Sequence, residues 1–131
     1  MINPKENYIC KWHGKFLHIF CSVYALNYFF ISTPTFDEFR KIMKKRFKLE
    51  IPEDDQTEGH FEIITKVNKG VDIGVIWVKD RKDYGTIAHE CLHAVQWSTS
   101  QRGLNLSEET EEAFAYLFSF LVSTIQKSDK K

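Results

Sequence analysis

An α+β domain, with a small twisted N-terminal β-sheet packed against helices, is the fold class this sequence predicts. Three observations lead there. β-branched and aromatic runs fill Phe16 to Ile31 and then "HFEIITKV" and "VDIGVIWV", while apolar residues at three- and four-residue spacing recur after Thr35, Asp83 and Ser107. The chain has 131 residues, the size of one domain with one core, and no repeat or composition break divides it. Residues 1–131 therefore read as a single domain.

Composition bounds the setting. A hydrophobic fraction of 43%, with 11 Phe, 5 Tyr and 3 Trp, is ample for a packed core. Lysine plus arginine balances aspartate plus glutamate at 18 each, so no net field draws the chain to nucleic acid or an anionic membrane. Phe16 to Ile31 is too short, and too interrupted by His18, Ser22 and Asn27, to span a bilayer. Cys10, Cys21 and Cys91 show no metal-ligand spacing, and no signal-peptidase site is evident, so a reducing cytoplasm is the expected home.

Taken in order, Phe16 to Ile31 predicts one or two buried strands. Pro34 and Thr35 open a helix to about Lys48, with Phe36, Phe39, Met43 and Phe47 on one face. Its Arg40, Lys41, Lys44, Lys45, Arg46 and Lys48 are read as a solvated outer face, which the acidic loop "PEDDQTEG" offsets. A hairpin follows from about His60 to Val78, turning at "NKG", where Asn68 and Gly70 tolerate positive φ. Asp83 or Thr86 caps a helix to about Thr99, and Ser107 opens a terminal helix to about Gln126.

The chemistry concentrates in "TIAHECLHAVQW", Thr86 to Trp97. On a helix His89, His93 and Gln96 share one narrow stripe, with Glu90 beside it and apolar residues around the rest. Imidazoles four residues apart have Cβ atoms about 5 to 6 Å from each other, so both ring nitrogens can reach one Zn2+. Glu90, next to the first histidine, is placed to take a proton from a water that the metal activates. Burying three such groups without an organising cation costs several kcal/mol, which favours a metal over hydrogen-bonded core histidines. Cys91 lies on the opposite face and reads as core packing, and His13, His18 and His60 as ordinary core or surface histidines.

A catalytic zinc needs a third protein ligand and an open position. The terminal helix carries acids in its first turns, where the helix dipole also favours them. Glu112, Ala115, Tyr116, Ser119 and Ser123 share a face of small or polar residues, opposite Phe114, Leu117, Phe118 and Leu121. If the Ala115 and Ser119 stripe packs on the histidine helix, Glu112 comes within metal reach; Glu111 is the second choice.

"HECLH" and "EAFAYLFSFLV" together resemble the gluzincin metallopeptidases, and in size the minigluzincins and small phage-type zinc peptidases. The resemblance spans Thr86 to Ser123 and implies a zincin-like fold. By position it implies His89, His93 and Glu112 as zinc ligands and Glu90 as general base in the hydrolysis of a peptide or protein substrate. Tyr116 stands where relatives carry an aspartate that orients a zinc histidine, and a phenol there can accept the imidazole N–H or donate to the substrate oxyanion. Tyr84 and His60 are candidates for a further transition-state donor. The strand from Val71 to Val78 is expected, by the same resemblance, to be the edge that aligns an extended peptide. The alternatives are a metal-binding regulatory protein of the same fold with restricted proteolysis, and an interaction module whose zinc is structural or absent.

Overall fold

The structure is a computed structural model that describes residues 8–21, 26–54, 56–67 and 71–128. Its elements are β1 (Tyr8–His13), β2 (Phe16–Cys21), β3 (Leu26–Ser32), α1 (Phe36–Phe47), β4 (Gly59–Val67), β5 (Val71–Val78), α2 (Tyr84–Gln101) and α3 (Glu111–Lys127). The five strands form one mixed sheet in the order β1-β2-β3-β5-β4, with β3 and β5 parallel and the other pairs antiparallel. The chain is thus α+β, as expected. The expected turn at Asn68 and Gly70 lies outside the described residues.

Alternation along the strands builds two cores. Leu17, Ile19, Cys21, Tyr28, Phe30, Ile76 and Val78 face α2 and α3, which contribute Ile87, Cys91, Ala94, Val95, Leu117, Phe120, Leu121 and Ile125. Phe16, Ile31, Ile64, Ile73, Val75 and Trp77 face α1, which contributes Phe36, Phe39 and Met43. Helices therefore cover both faces, and that double coverage explains why β3 and β5 read as unbroken apolar runs.

β5 departs from expectation. It lies between β3 and β4, with Val75, Ile76, Trp77 and Val78 all at 0% exposure, so β4 is the edge strand on this side of the sheet. A strand buried on both faces loses its polar alternation, which is the irregularity seen around Gly74 and Val75. β1 was not marked by the sequence; it pairs with β2 through a two-residue turn at which Gly14 takes φ 60°, a left-handed value that suits glycine.

The helix caps are local chemistry. The Thr35 hydroxyl accepts the Glu38 N–H at 3.2 Å to start α1, and Lys48 at φ 58° ends it. Asp83 starts α2, accepting the Thr86 N–H at 3.2 Å and its hydroxyl at 2.6 Å, and these bonds hold the Asp83 carboxyl below its ordinary value. α3 begins three residues later than expected, with Thr110 in place of Ser107 at its N-cap. Ser107 belongs to a turn closed by Thr110, whose hydroxyl accepts the Ser107 N–H at 3.0 Å, so Glu108 and Glu109 precede the helix and Glu111 and Glu112 form its first turn. Half of the basic residues from Arg40 to Lys48 are engaged: Arg40 pairs with Asp37 at 2.7 Å, Lys44 with Glu50 at 3.0 Å, and Arg46 stacks over Phe16 at 4.9 Å. Among the described residues no helix is long and apolar enough to cross a membrane.

Among the described residues no buried side-chain nitrogen or oxygen lacks a hydrogen-bond partner. Trp77 Nε1 donates to Thr33 Oγ1 at 2.7 Å. Tyr28 donates to Ser98 Oγ at 2.6 Å, and Ser98 donates to the Ala94 carbonyl at 2.6 Å. Burial pushes the Tyr28 phenol above its ordinary 10.0 and the Cys91 thiol from 9.0 to about 12. Both groups have folded values above their unfolded ones, so the stability they confer is intact below about pH 9 and is lost as pH rises through the folded values. Tyr28→Phe should cost about 1 kcal/mol at neutral pH, because Ser98 keeps its own acceptor, and should flatten the alkaline fall in stability above pH 10. Urea denaturation across pH 7 to 11 checks this; an unchanged alkaline slope in the variant would show that Tyr28 does not set it.

Candidate metal centre

α2 lays its apolar flank on β4 and β5 and turns a polar stripe outward. Trp97 lies against Phe61 of β4, with ring centroids 5.8 Å apart, and Ile87, Cys91, Ala94 and Val95 are fully buried. His89 and His93 are exposed on the outer stripe, one turn apart, with their Nε2 atoms 3.2 Å from each other and their ring planes at 77°. The two imidazoles that the periodicity grouped are brought together, but both are exposed, so the burial cost expected to call for a cation falls on Glu90 alone.

Glu90 points the other way round the helix, against the first residue of β4, and is 7% exposed. Burial raises its carboxyl above the ordinary value, and the nearby His89, His93 and His60 pull it back in part. Two shallow depressions open beside it. One, of about 400 Å³, is lined by Gly59, His60, Phe61, Glu90 and His93; the other, of about 530 Å³, runs from Gln56 to Gly59 and then along Gly85, Thr86, His89 and Glu90. Glu90 thus borders both depressions, His93 one of them and His89 the other, at the edge of the sheet. A larger cavity of about 970 Å³ lies elsewhere, at the start of α1. It holds no histidine, and its Asp37 and Glu53 carboxylates are engaged by Arg40.

α3 packs differently from the expectation. Ala113, Leu117, Phe120, Leu121 and Ile125 form its buried face, while Ala115 and Ser119 are exposed. Burying large apolar side chains at about 25 cal/mol per Å² outweighs the close approach that a small-residue stripe permits. Glu111, Glu112 and Tyr116 consequently lie on the exposed side of the helix start, Tyr116 at 37%. Among the described residues no group of three His, Cys, Asp or Glu side chains converges as a metal site.

The remaining candidates separate cleanly. Tyr84 is the first residue of α2 and 52% exposed. His60 Nε2 donates to Glu62 Oε1 at 2.7 Å while its ring packs edge-on to Phe36. His18 is bonded to Asn27 Oδ1 at 2.9 Å, on the opposite side of the sheet from β4. Gly59, which walls Glu90, drew no notice in the sequence, where it merely closes the acidic loop.

Comparison with protein-family profiles, characterised proteins and solved structures finds no match to this chain.

Proposed function

We propose that this chain is a small zinc-dependent metallopeptidase with a zincin-like arrangement, hydrolysing peptide bonds with Glu90 as general base. The observation that carries the reading is the 3.2 Å separation of His89 Nε2 and His93 Nε2. Two nitrogens at 2.0 to 2.1 Å from a tetrahedral zinc are about 3.3 to 3.4 Å apart, so the imidazoles stand at close to the spacing of one edge of that coordination shell. A hydrogen-bonded imidazole pair uses a similar distance, and metal titration separates the two.

His89 and His93 would hold the cation through Nε2, with Glu112 of the α3 first turn as the proposed third ligand and Glu111 as its substitute, which requires the exposed start of α3 to approach α2, since among the described residues neither glutamate converges with the histidines. When bound, zinc lowers the pKa of a water and polarises a carbonyl. The chain supplies the rest. Glu90 takes the water proton on a carboxylate oxygen and returns it to the leaving amine; its burial raises its carboxyl above the ordinary value. β4 pairs on one side with β5, leaving an edge beside the depressions along which an extended peptide can hydrogen-bond. The Tyr116 phenol is the candidate to orient an imidazole or to donate to the oxyanion.

The balance of 18 basic against 18 acidic residues fits a peptide or protein substrate better than nucleic acid, and three cysteines outside any disulfide fit a reducing cytoplasm. The test is elemental analysis of the purified chain together with cleavage of a mixed peptide library after zinc loading. One zinc per chain and chelator-sensitive cleavage are expected. Zinc that binds without any cleavage would favour the regulatory alternative, and a chain that takes up no zinc ends the proposal.

A further inference from the structure

Gly59 meets α2 more closely than any side chain would allow. A Cβ placed there would lie 2.5 Å from Thr86 Cγ2 and 3.0 Å from both Cγ and Oε2 of Glu90. The backbone of the edge strand is therefore flush against the helix at the level of the carboxylate. Neither partner can readily retreat. Gly59 is registered with Val78, its carbonyl accepts the Thr57 hydroxyl at 2.5 Å, and the neighbouring Glu58 carbonyl accepts the Lys79 N–H at 3.0 Å. Thr86 is tied to Asp83 at 2.6 Å, and α2 is anchored by Ile87, Cys91 and Ala94, all fully buried. The group left free to move is the Glu90 side chain, with its three rotatable bonds.

A second observation places this contact in the site. The depression beside His93 and the depression beside His89 share two residues, Gly59 and Glu90. The saddle between them is formed by a carboxylate resting on a residue without a side chain.

We propose that Gly59 is a positioning residue: its bare backbone seats the Glu90 carboxylate where the two depressions meet, and so fixes that carboxylate relative to His89 and His93. The catalytic consequence rests on the metallopeptidase reading; the seat itself does not. A side chain at this position meets the Thr86 methyl first, at 2.5 Å, and presses on the Glu90 side chain from 3.0 Å, while leaving both imidazoles in place.

The experiment is Gly59→Ala in four backgrounds: wild type, Thr86→Ser, Glu90→Gln and Glu90→Ala. Gly59→Ala should keep zinc affinity and KM within about threefold of wild type while kcat falls about tenfold or more. In the Glu90→Gln background the same substitution should change the residual kcat by less than about twofold, because it acts through the residue already replaced. Without metal, Gly59→Ala should lower Tm by about 4 to 10 °C, with a substantial part recovered by Thr86→Ser, which removes the nearer methyl. The double variant also supplies a folded protein should the single one fail to fold, and it should still show the kcat loss. Equal kcat losses in wild type and Glu90→Gln, or parallel loss of zinc affinity and kcat, would overturn the proposal, as would an unaffected kcat. If the wild type neither binds zinc nor cleaves peptides, the metallopeptidase reading has failed on its own. The seat is then judged by metal-free melting: a Gly59→Ala cost that shrinks in Glu90→Ala supports it, and a fully additive cost refutes it.

Discussion

His93→Ala is expected to reduce bound zinc from about one per chain to below about a tenth of that, and His89→Ala to do the same, since either leaves a single imidazole on the stripe. The effect should appear in stability as well as stoichiometry. A ligand at a hundredfold excess over its Kd stabilises the folded state by about 2.7 kcal/mol, which for a domain of this length raises Tm by roughly 10 °C. Wild type should show that rise on addition of zinc and neither alanine variant should. Both histidines are exposed, so the metal-free variants should melt within about 2 °C of the metal-free wild type. A confounding loss of fold is thereby separated from loss of a ligand. Glu112→Ala beside Glu111→Ala, measured the same way, assigns the third ligand; unchanged zinc binding in both would remove α3 from the site. If zinc leaves the wild-type melting curve where it was, the 3.2 Å contact is only a hydrogen bond between imidazoles.

Much of the fold was legible because local chemistry decides it. Thr35 starts α1, Asp83 rather than its alternative Thr86 caps α2, and β4 and β5 pair as the hairpin that "HFEIITKV" and "VDIGVIWV" suggested. What was not legible depends on the partner. Whether β5 lies inside the sheet or at its edge is decided by β3, more than forty residues earlier in the chain, and only the lapse in alternation at Gly74 and Val75 hinted at it. β1 escaped notice because "YICKWH" mixes charged, exposed and apolar residues, as an outer strand of a sheet does. At the start of α3, Ser107 and Thr110 are both hydroxyl residues three apart, and the turn that joins them left the helix to begin after the second.

The candidate site divides along the same line. The convergence of His89 and His93 is a consequence of 3.6 residues per turn and could be read from spacing alone, whereas the inward turn of Glu90, expected beside their stripe, is set by its contact with β4. The α3 side could not. A helical wheel offers Glu112 with Ala115 and Ser119 on one face and Leu117 with Leu121 on another, and the packing against α2 selects the second. Gly59 was invisible for the same reason: its meeting with Thr86 and Glu90 joins the edge strand to a helix a full hairpin later.

Glu90→Gln should abolish hydrolysis while preserving the metal. The amide has the size and shape of the carboxyl, so it fits against Gly59, but it cannot accept a proton at neutral pH; kcat should fall by about 10² to 10⁴ with zinc content unchanged. The same substitution makes an opposite prediction for stability. Glu90 has a folded pKa raised above its ordinary 4.5, mainly by burial, so the metal-free protein keeps this contribution in full below that pH and loses it as pH rises through the folded value. Gln carries no such penalty. Metal-free wild type and variant should therefore have matching stability near pH 4, and the variant should be the more stable at pH 7. Denaturant titrations at the two pH values, set beside peptide cleavage rates, read both effects. A variant that is more stable and inactive marks a buried carboxylate retained for its chemistry at the expense of the fold. Hydrolysis by Glu90→Gln at the wild-type rate would show that the proton goes elsewhere, and the assignment of this residue as the base would be lost.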